Sequence, residues 1–95
     1  MTTFILRFQL SNGTLTNYKI LKSYLLKVGF SKEITASDNT KYVLPQGQYI
    51  AISERPKEEI LEIAKKQAFK IDRRCQILVV ESVKKGCTWV NLPLA

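Results

Sequence analysis

The stretch that decides the fold is FILRFQL, at residues 4–10. Every second side chain in it is large and apolar, and these side chains share one face: Phe4, Leu6, Phe8 and Leu10. The opposite face contains Ile5, Arg7 and Gln9. A period of two with one apolar face is typical of a half-buried β-strand. We therefore predict a first strand with one side on the core and the other side free of it.

Two later segments have helical periodicity. The first follows the turn at residues 11–14 and ends at Gly29, with apolar residues at spacings of three and four: Tyr18, Leu21, Leu25 and Val28. The second begins near Pro56, has acidic residues in its first turn and lysines toward its end, and buries a stripe made of Ile60, Ile63 or Ala64, Ala68 and Ile71. Both patterns predict amphipathic helices.

Between and after these helices, apolar runs predict further strands at residues 32–37, 49–53 and 76–83, with residues 42–44 extending the first of them into a hairpin. The resulting order, βαββαβ, is that of a ferredoxin-like α+β domain. It predicts a four-stranded antiparallel sheet with two helices on one face, plus a short C-terminal strand at residues 88–92. We expect a single domain over residues 1–95, in which residues 84–95 form an arm that is added to its own sheet or exchanged with a partner.

Composition narrows the function. The chain has 15 Lys and Arg against 8 Asp and Glu, a net charge of +7, and no histidine. The excess favours a polyanionic partner, and the missing imidazole excludes histidine-based catalysis. No acidic or cysteine cluster has metal-site spacing, so we expect neither metal nor cofactor, and Cys75 and Cys87 are expected to stay reduced. Without an apolar segment of membrane-spanning length or a signal peptide, the expected location is the cytoplasm, with no membrane insertion.

The candidate site residues are all basic. Lys19 and Lys22 fall on the first helix, Arg73 and Arg74 fall between the second helix and the last strand, and Arg7 falls on the free side of the first strand. Guanidinium and ammonium groups bind phosphate, so we predict that these residues bind nucleic acid, RNA first. The free side of the first strand has no aromatic residue for base stacking, which argues against an RNA-recognition motif.

A resemblance adds to this interpretation. The segments FILRFQL, NYKILKSYLLKVGF, YVLPQGQYIAIS, KEEILEIAKKQAFKID and CQILVVES resemble, in order and spacing, the GhoS antitoxin family, whose fold is similar to those of the small CRISPR adaptation protein and VapD. The resemblance implies a type V antitoxin: an endoribonuclease that cleaves the mRNA of a small membrane toxin. It makes Lys22 the catalytic residue, because Lys22 takes the place of the family's basic residue in the first helix. Wider relatives place a metal-binding aspartate at the end of the first strand, where this chain has Gln9.

Two alternatives stay open: a non-catalytic module that masks RNA or blocks an enzyme in the manner of phage inhibitors, and a structural partner in an assembly. For assembly we expect a homodimer in which open sheet faces meet and residues 87–92 pair with the partner's sheet. A monomer with its tail on its own edge is the alternative.

Overall fold

The computed structural model describes residues 1–82 and 90–95. The elements follow in the order β1 (Thr2–Gln9), α1 (Leu15–Lys27), β2 (Glu33–Thr35), β3 (Lys41–Val43), β4 (Gln48–Ser53), α2 (Lys57–Ala68) and β5 (Gln76–Ser82). The protein is a small α+β fold with two helices and antiparallel sheets. Cys87 lies outside the described residues, and so do residues 84–89 of the expected C-terminal arm.

The main sheet has three strands in the order β4-β1-β5, with both outer strands antiparallel to β1. The side chains that alternation predicts to be buried are at most 2% exposed: Phe4, Leu6 and Phe8 of β1, and Leu10 directly after it. Tyr49 and Ala51 of β4 lie opposite Leu6 and Phe4 and complete this inner face. The prediction made from residues 4–10 is confirmed.

Both helices contribute to the core on the inner face. Leu21 and Leu25 of α1, and Ile60 and Ala64 of α2, join the same buried cluster as the β1 side chains. Thr14 begins α1, because its hydroxyl oxygen accepts a hydrogen bond from the Asn17 amide at 3.1 Å. Within residues 1–82 and 90–95, neither helix has the length and apolarity needed to cross a membrane.

The expected fourth strand of the sheet is the main correction. Residues 33–35 pair with residues 41–43 in a separate two-stranded hairpin, β2–β3. One bridge, between Ser31 and Ile50, joins this hairpin to β4. These two residues exchange backbone hydrogen bonds of 2.7 and 2.8 Å. At the next position the ladder is interrupted, because the Ser31 hydroxyl accepts from the Glu33 amide and the Lys32 ammonium donates to the Gln48 carbonyl, each at 3.1 Å. The groups that would continue the ladder are therefore bonded elsewhere.

The end of the chain lies beside this hairpin. Val43 donates a backbone hydrogen bond to Pro93 at 2.8 Å, and Ala95 donates one to Lys41 at 3.0 Å. Leu94 forms a β-bridge with Tyr42. The described end of the arm thus pairs with β3 of its own chain, two residues beyond the strand expected at residues 88–92. The homodimer, in which residues 87–92 pair with a partner's sheet, stays a prediction.

Candidate nucleic-acid interface

The sheet has a second side that faces away from both helices, which we call the outer face. The strand register places its side chains in four rows: Ile52–Thr3–Ser82, Ile50–Ile5–Val80, Gln48–Arg7–Leu78 and Gln9–Gln76. Directly opposed residues of antiparallel strands project to the same side, so each row consists of neighbours. Arg7 is the one charged side chain among the described residues of this face.

The outer face divides into two ends. At the first, Ile52 and Val80 are 64% and 45% exposed. At the second, Arg7 is surrounded by the amide side chains of Gln9, Gln48 and Gln76 and by Leu78, which is 58% exposed. We call these the apolar end and the amide end. Ile50, next to the bridge to β2, is buried.

The amide end contains a shallow cavity of about 210 Å³. It is lined by Arg7, Gln9, Gln76, Ile77 and Leu78. Within residues 1–82 and 90–95, the side chains of Arg7, Gln9 and Gln76 form no hydrogen bond or ion pair with the protein. Their polar groups are therefore free to bind a ligand.

Arg73 and Arg74 lie at this same end of the sheet. They come directly before Cys75 and Gln76, in the loop that leads into β5. Asp72 fixes this loop, because its carboxylate accepts hydrogen bonds from the Ser11 amide and hydroxyl and from the Arg74 amide. These bonds lower the pKa of the Asp72 carboxyl, the Ser11 hydroxyl contributing most. The Asp72 carboxylate is thus hydrogen-bonded to the loop after β1 and to the loop before β5. Both arginines stay exposed.

Lys19 and Lys22 are elsewhere. They are exposed on α1, whose Leu21 and Leu25 pack on the inner face of the sheet. The helix and the sheet therefore separate these lysines from Arg7. The structure brings Arg7 to the same end as Arg73 and Arg74, and it does not bring the two groups of basic residues together.

The ion pairs show which cations are already neutralised. In the described part of the chain they are Arg55–Glu59 at 3.3 Å, Lys57–Glu81 at 3.7 Å and Lys65–Glu62 at 3.8 Å. All of them involve α2 or the loop before it. None of the sequence-predicted binding residues has an acidic partner there: Arg7, Lys19, Lys22, Arg73 and Arg74. These five cations therefore keep an unneutralised charge, as do Lys27, Lys41 and Lys66 among the described residues.

Sequence reasoning missed Lys32. Its ammonium lies 4.7 Å from the centre of the Tyr49 ring and donates to the carbonyl oxygens of Pro45 and Gln48. Burial, and secondarily the charge of Lys22, lowers the pKa of Lys32 to about 8. Burial also raises the pKa of Tyr49 to about 12. Lys32 is therefore an amine that is partly neutral near physiological pH, close enough to Lys22 to be affected by its charge.

The remaining candidate groups are unremarkable in chemistry. Cys75 is buried as a free thiol, and burial raises its pKa, which disfavours the reactive thiolate. In residues 1–82 and 90–95, no group of three or more acidic or cysteine side chains could hold a metal ion. The amides of the outer face could have been recognised from the alternation of β1, β4 and β5, whereas nothing local in the sequence indicates the environment of Lys32.

Comparison with protein-family models and with curated proteins finds no match for this chain.

Proposed function

We propose that this protein binds single-stranded RNA through Arg7, Arg73 and Arg74. The observation that carries the proposal is that these exposed cations lack acidic partners in the described part of the chain and gather at the amide end of the outer face. A net charge of +7 is attracted to a phosphate backbone, and guanidinium groups bind phosphate oxygens in pairs. The outer face also offers amide and apolar groups to bases. A single strand presents unpaired bases to such groups, whereas a double helix does not.

The test compares salt dependence among variants. We expect Arg7→Ala, and Arg73→Ala combined with Arg74→Ala, to weaken binding of a labelled single-stranded RNA without unfolding the domain. Each lost phosphate contact should lower the slope of log K against log salt by about 0.7. Arg55→Ala is the matched control, because that arginine is paired with Glu59. If the slope is the same in every variant, or the protein binds no RNA at moderate salt, the proposal is wrong.

A second candidate, RNA cleavage of the antitoxin kind, is favoured by the pKa of Lys32, which burial and secondarily the charge of Lys22 lower to about 8. A neutral Lys32 amine can accept the proton of a 2′-hydroxyl as that oxygen attacks the adjacent phosphorus. The bond to the 5′-oxygen breaks, which leaves a 2′,3′-cyclic phosphate on one product. The Lys22 ammonium stabilises the charge that develops on the phosphate and gives a proton to the leaving oxygen. This scheme keeps Lys22 as the catalytic residue.

Cleavage is tested with end-labelled single-stranded RNA, with and without EDTA. We expect a rate that increases as pH rises toward 8, products ending in cyclic phosphate, and no effect of EDTA. Lys22→Ala and Lys32→Met should lose cleavage, and Lys27→Ala, on the same helix, should keep it. Intact RNA in all reactions would leave the protein as a non-catalytic RNA-binding module, the alternative drawn from the sequence.

We also propose that the fold is ferredoxin-like. The order β5-β1-β4, continued by the Ser31–Ile50 bridge to β2, supports a ferredoxin-like architecture in which the fourth strand is paired at one position. We further propose a cytoplasmic homodimer formed by the apolar end of the outer face. The exposed Ile52 and Val80 side chains support this contact.

A further inference from the structure

We propose that the cavity at the amide end binds one purine nucleotide of a single-stranded RNA. The Gln9 and Gln76 amides and the Leu78 side chain would contact the base, and the Arg7 guanidinium would bind the phosphate. This inference rests on the RNA-binding function proposed above and assigns its base specificity.

The polar groups of the cavity are fixed in position by the strand ladder. Gln9 lies directly opposite Gln76, and Arg7 lies directly opposite Leu78, one row away on the same face. Opposed residues of an antiparallel pair have their Cβ atoms about 5 Å apart. Two amides, a guanidinium and an apolar side chain therefore meet on a rigid platform of two paired strands.

The size of the cavity matches part of a ligand. At about 210 Å³ it is smaller than the roughly 300–1,000 Å³ typical of sites that enclose a complete small molecule. A single unstacked base can enter such a depression while its sugar and phosphates stay at the rim. Arg73 and Arg74, in the loop before Gln76, lie where the neighbouring phosphates of the strand would pass.

The chemistry of these side chains favours purines. A glutamine amide has both a donor and an acceptor, and it forms paired hydrogen bonds with the N6 and N7 positions of adenine. The two glutamine N–H groups can likewise donate to the O6 and N7 acceptors of guanine. Pyrimidines lack the N7 acceptor that both pairings use. The absence of any acidic side chain from the described outer face favours an anionic ligand over a cationic one.

Mononucleotides test the cavity apart from RNA binding. The readout is the side-chain amide NMR signals of Gln9 and Gln76 during titration with AMP, GMP and UMP. We expect both signals to shift with AMP or GMP and to shift little with UMP, while the signal of Gln67, on α2, does not move. Equal shifts with all three nucleotides, or no shift, would overturn the inference.

Oligonucleotides then separate the two proposals. One purine placed in an oligouridine strand should tighten binding by about fivefold or more. Gln9→Leu combined with Gln76→Leu should abolish that gain, whereas Gln67→Leu, on α2, should keep it. Salt-dependent RNA binding without purine preference would overturn only the cavity assignment. Purine-selective shifts without RNA binding would overturn the RNA proposal and retain the cavity as a nucleotide site, and binding of acidic peptides in place of nucleotides would overturn both.

Discussion

The Asp72 carboxylate joins two loops that are far apart in sequence, since it accepts hydrogen bonds of 2.6 Å from both the amide and the hydroxyl of Ser11. Its second oxygen accepts from the Arg74 amide at 2.9 Å. The end of β1 and the start of β5 are thereby held together at the amide end of the outer face. The same contact fixes the loop that contains Arg73 and Arg74, directly before the start of β5.

The first prediction concerns acid stability. Because the pKa of Asp72 is lowered in the folded protein, the folded state keeps this carboxylate charged to lower pH than the unfolded state does. Its contribution to the free energy of unfolding is complete above the ordinary value of 3.8 and is lost as pH falls through the folded pKa. Asp72→Asn should lower the melting temperature near neutral pH and flatten its decrease in acid.

Thermal unfolding followed by circular dichroism over a range of acidic pH measures this effect. Glu54→Gln is the control, because Glu54 has no hydrogen bond or ion pair within residues 1–82 and 90–95. An Asp72→Asn protein whose melting temperature falls in parallel with that of the unsubstituted protein would contradict the prediction.

The second prediction concerns the Lys32 amine. The folded protein releases this proton near a pKa of about 8, whereas the unfolded chain holds it up to the ordinary lysine pKa of 10.5. Between these values the unfolded state binds more protons, so the contribution of Lys32 to the free energy of unfolding increases as pH rises. Lys32→Met should remove this slope. Lys22→Ala should raise the pKa of Lys32, because it removes the neighbouring charge that disfavours the ammonium.

NMR titration of the Lys32 side-chain signals measures that pKa directly. Lys19→Ala serves as the matched control on the same helix, and it should leave the titration of Lys32 unchanged. If Lys22→Ala also leaves the midpoint unchanged, the assigned electrostatic contact between the two lysines is wrong.

The limits of sequence-based prediction are visible at Ser31 and Lys32. Alternation identified the buried face of β1, and the spacing of Leu21 and Leu25 identified the buried face of α1, because both patterns depend on local periodicity. Whether residues 33–35 join the sheet depends on two hydrogen bonds, from the Glu33 amide to Ser31 and from the Lys32 ammonium to Gln48. No local pattern reports these contacts.

The candidate site shows the same division. The exposure of Arg7 follows from its position in β1, and the excess of basic residues was evident from composition. The proximity of Gln9 to Gln76 depends on the register of β1 against β5, which is a contact between residues 67 positions apart by their numbers. The location of Arg73 and Arg74 at that end depends in turn on the bond between Asp72 and Ser11.

The third prediction concerns two glycines with left-handed backbone conformations. Gly47 has a φ of 82° and Gly29 a φ of 90°. A Cβ atom at Gly29 would meet no atom within 4 Å, whereas one at Gly47 would overlap the carbonyl oxygen of Phe8. Gly29→Ala should therefore cost only the backbone strain, about 1–2 kcal/mol. Gly47→Ala should cost more, since it also separates β4 from β1 where Phe8 donates to the Gly47 carbonyl at 2.7 Å.

Urea unfolding of both variants provides the measurement. The difference in stability between the two variants isolates the contact of Gly47 with Phe8 from the backbone strain that both variants share. Equal losses of stability would contradict a close approach of Gly47 to Phe8.

The fourth prediction concerns assembly through the apolar end of the outer face. In a two-fold dimer each copy contributes the same patch, so one substitution acts twice. Ile52 is 64% exposed, and Ile52→Glu would place two carboxylates in the proposed contact, where desolvation and mutual repulsion oppose association. Light scattering should show a dimer for the unsubstituted chain and a monomer for this variant. Leu61→Glu, on the exposed side of α2, is the control and should stay dimeric. Truncation after Lys85 tests the role of the arm in this dimer. If the dimer survives truncation, it depends on the sheet face alone, and if it dissociates, it depends on the exchange of residues 87–92. A full-length chain that is already monomeric contradicts the homodimer.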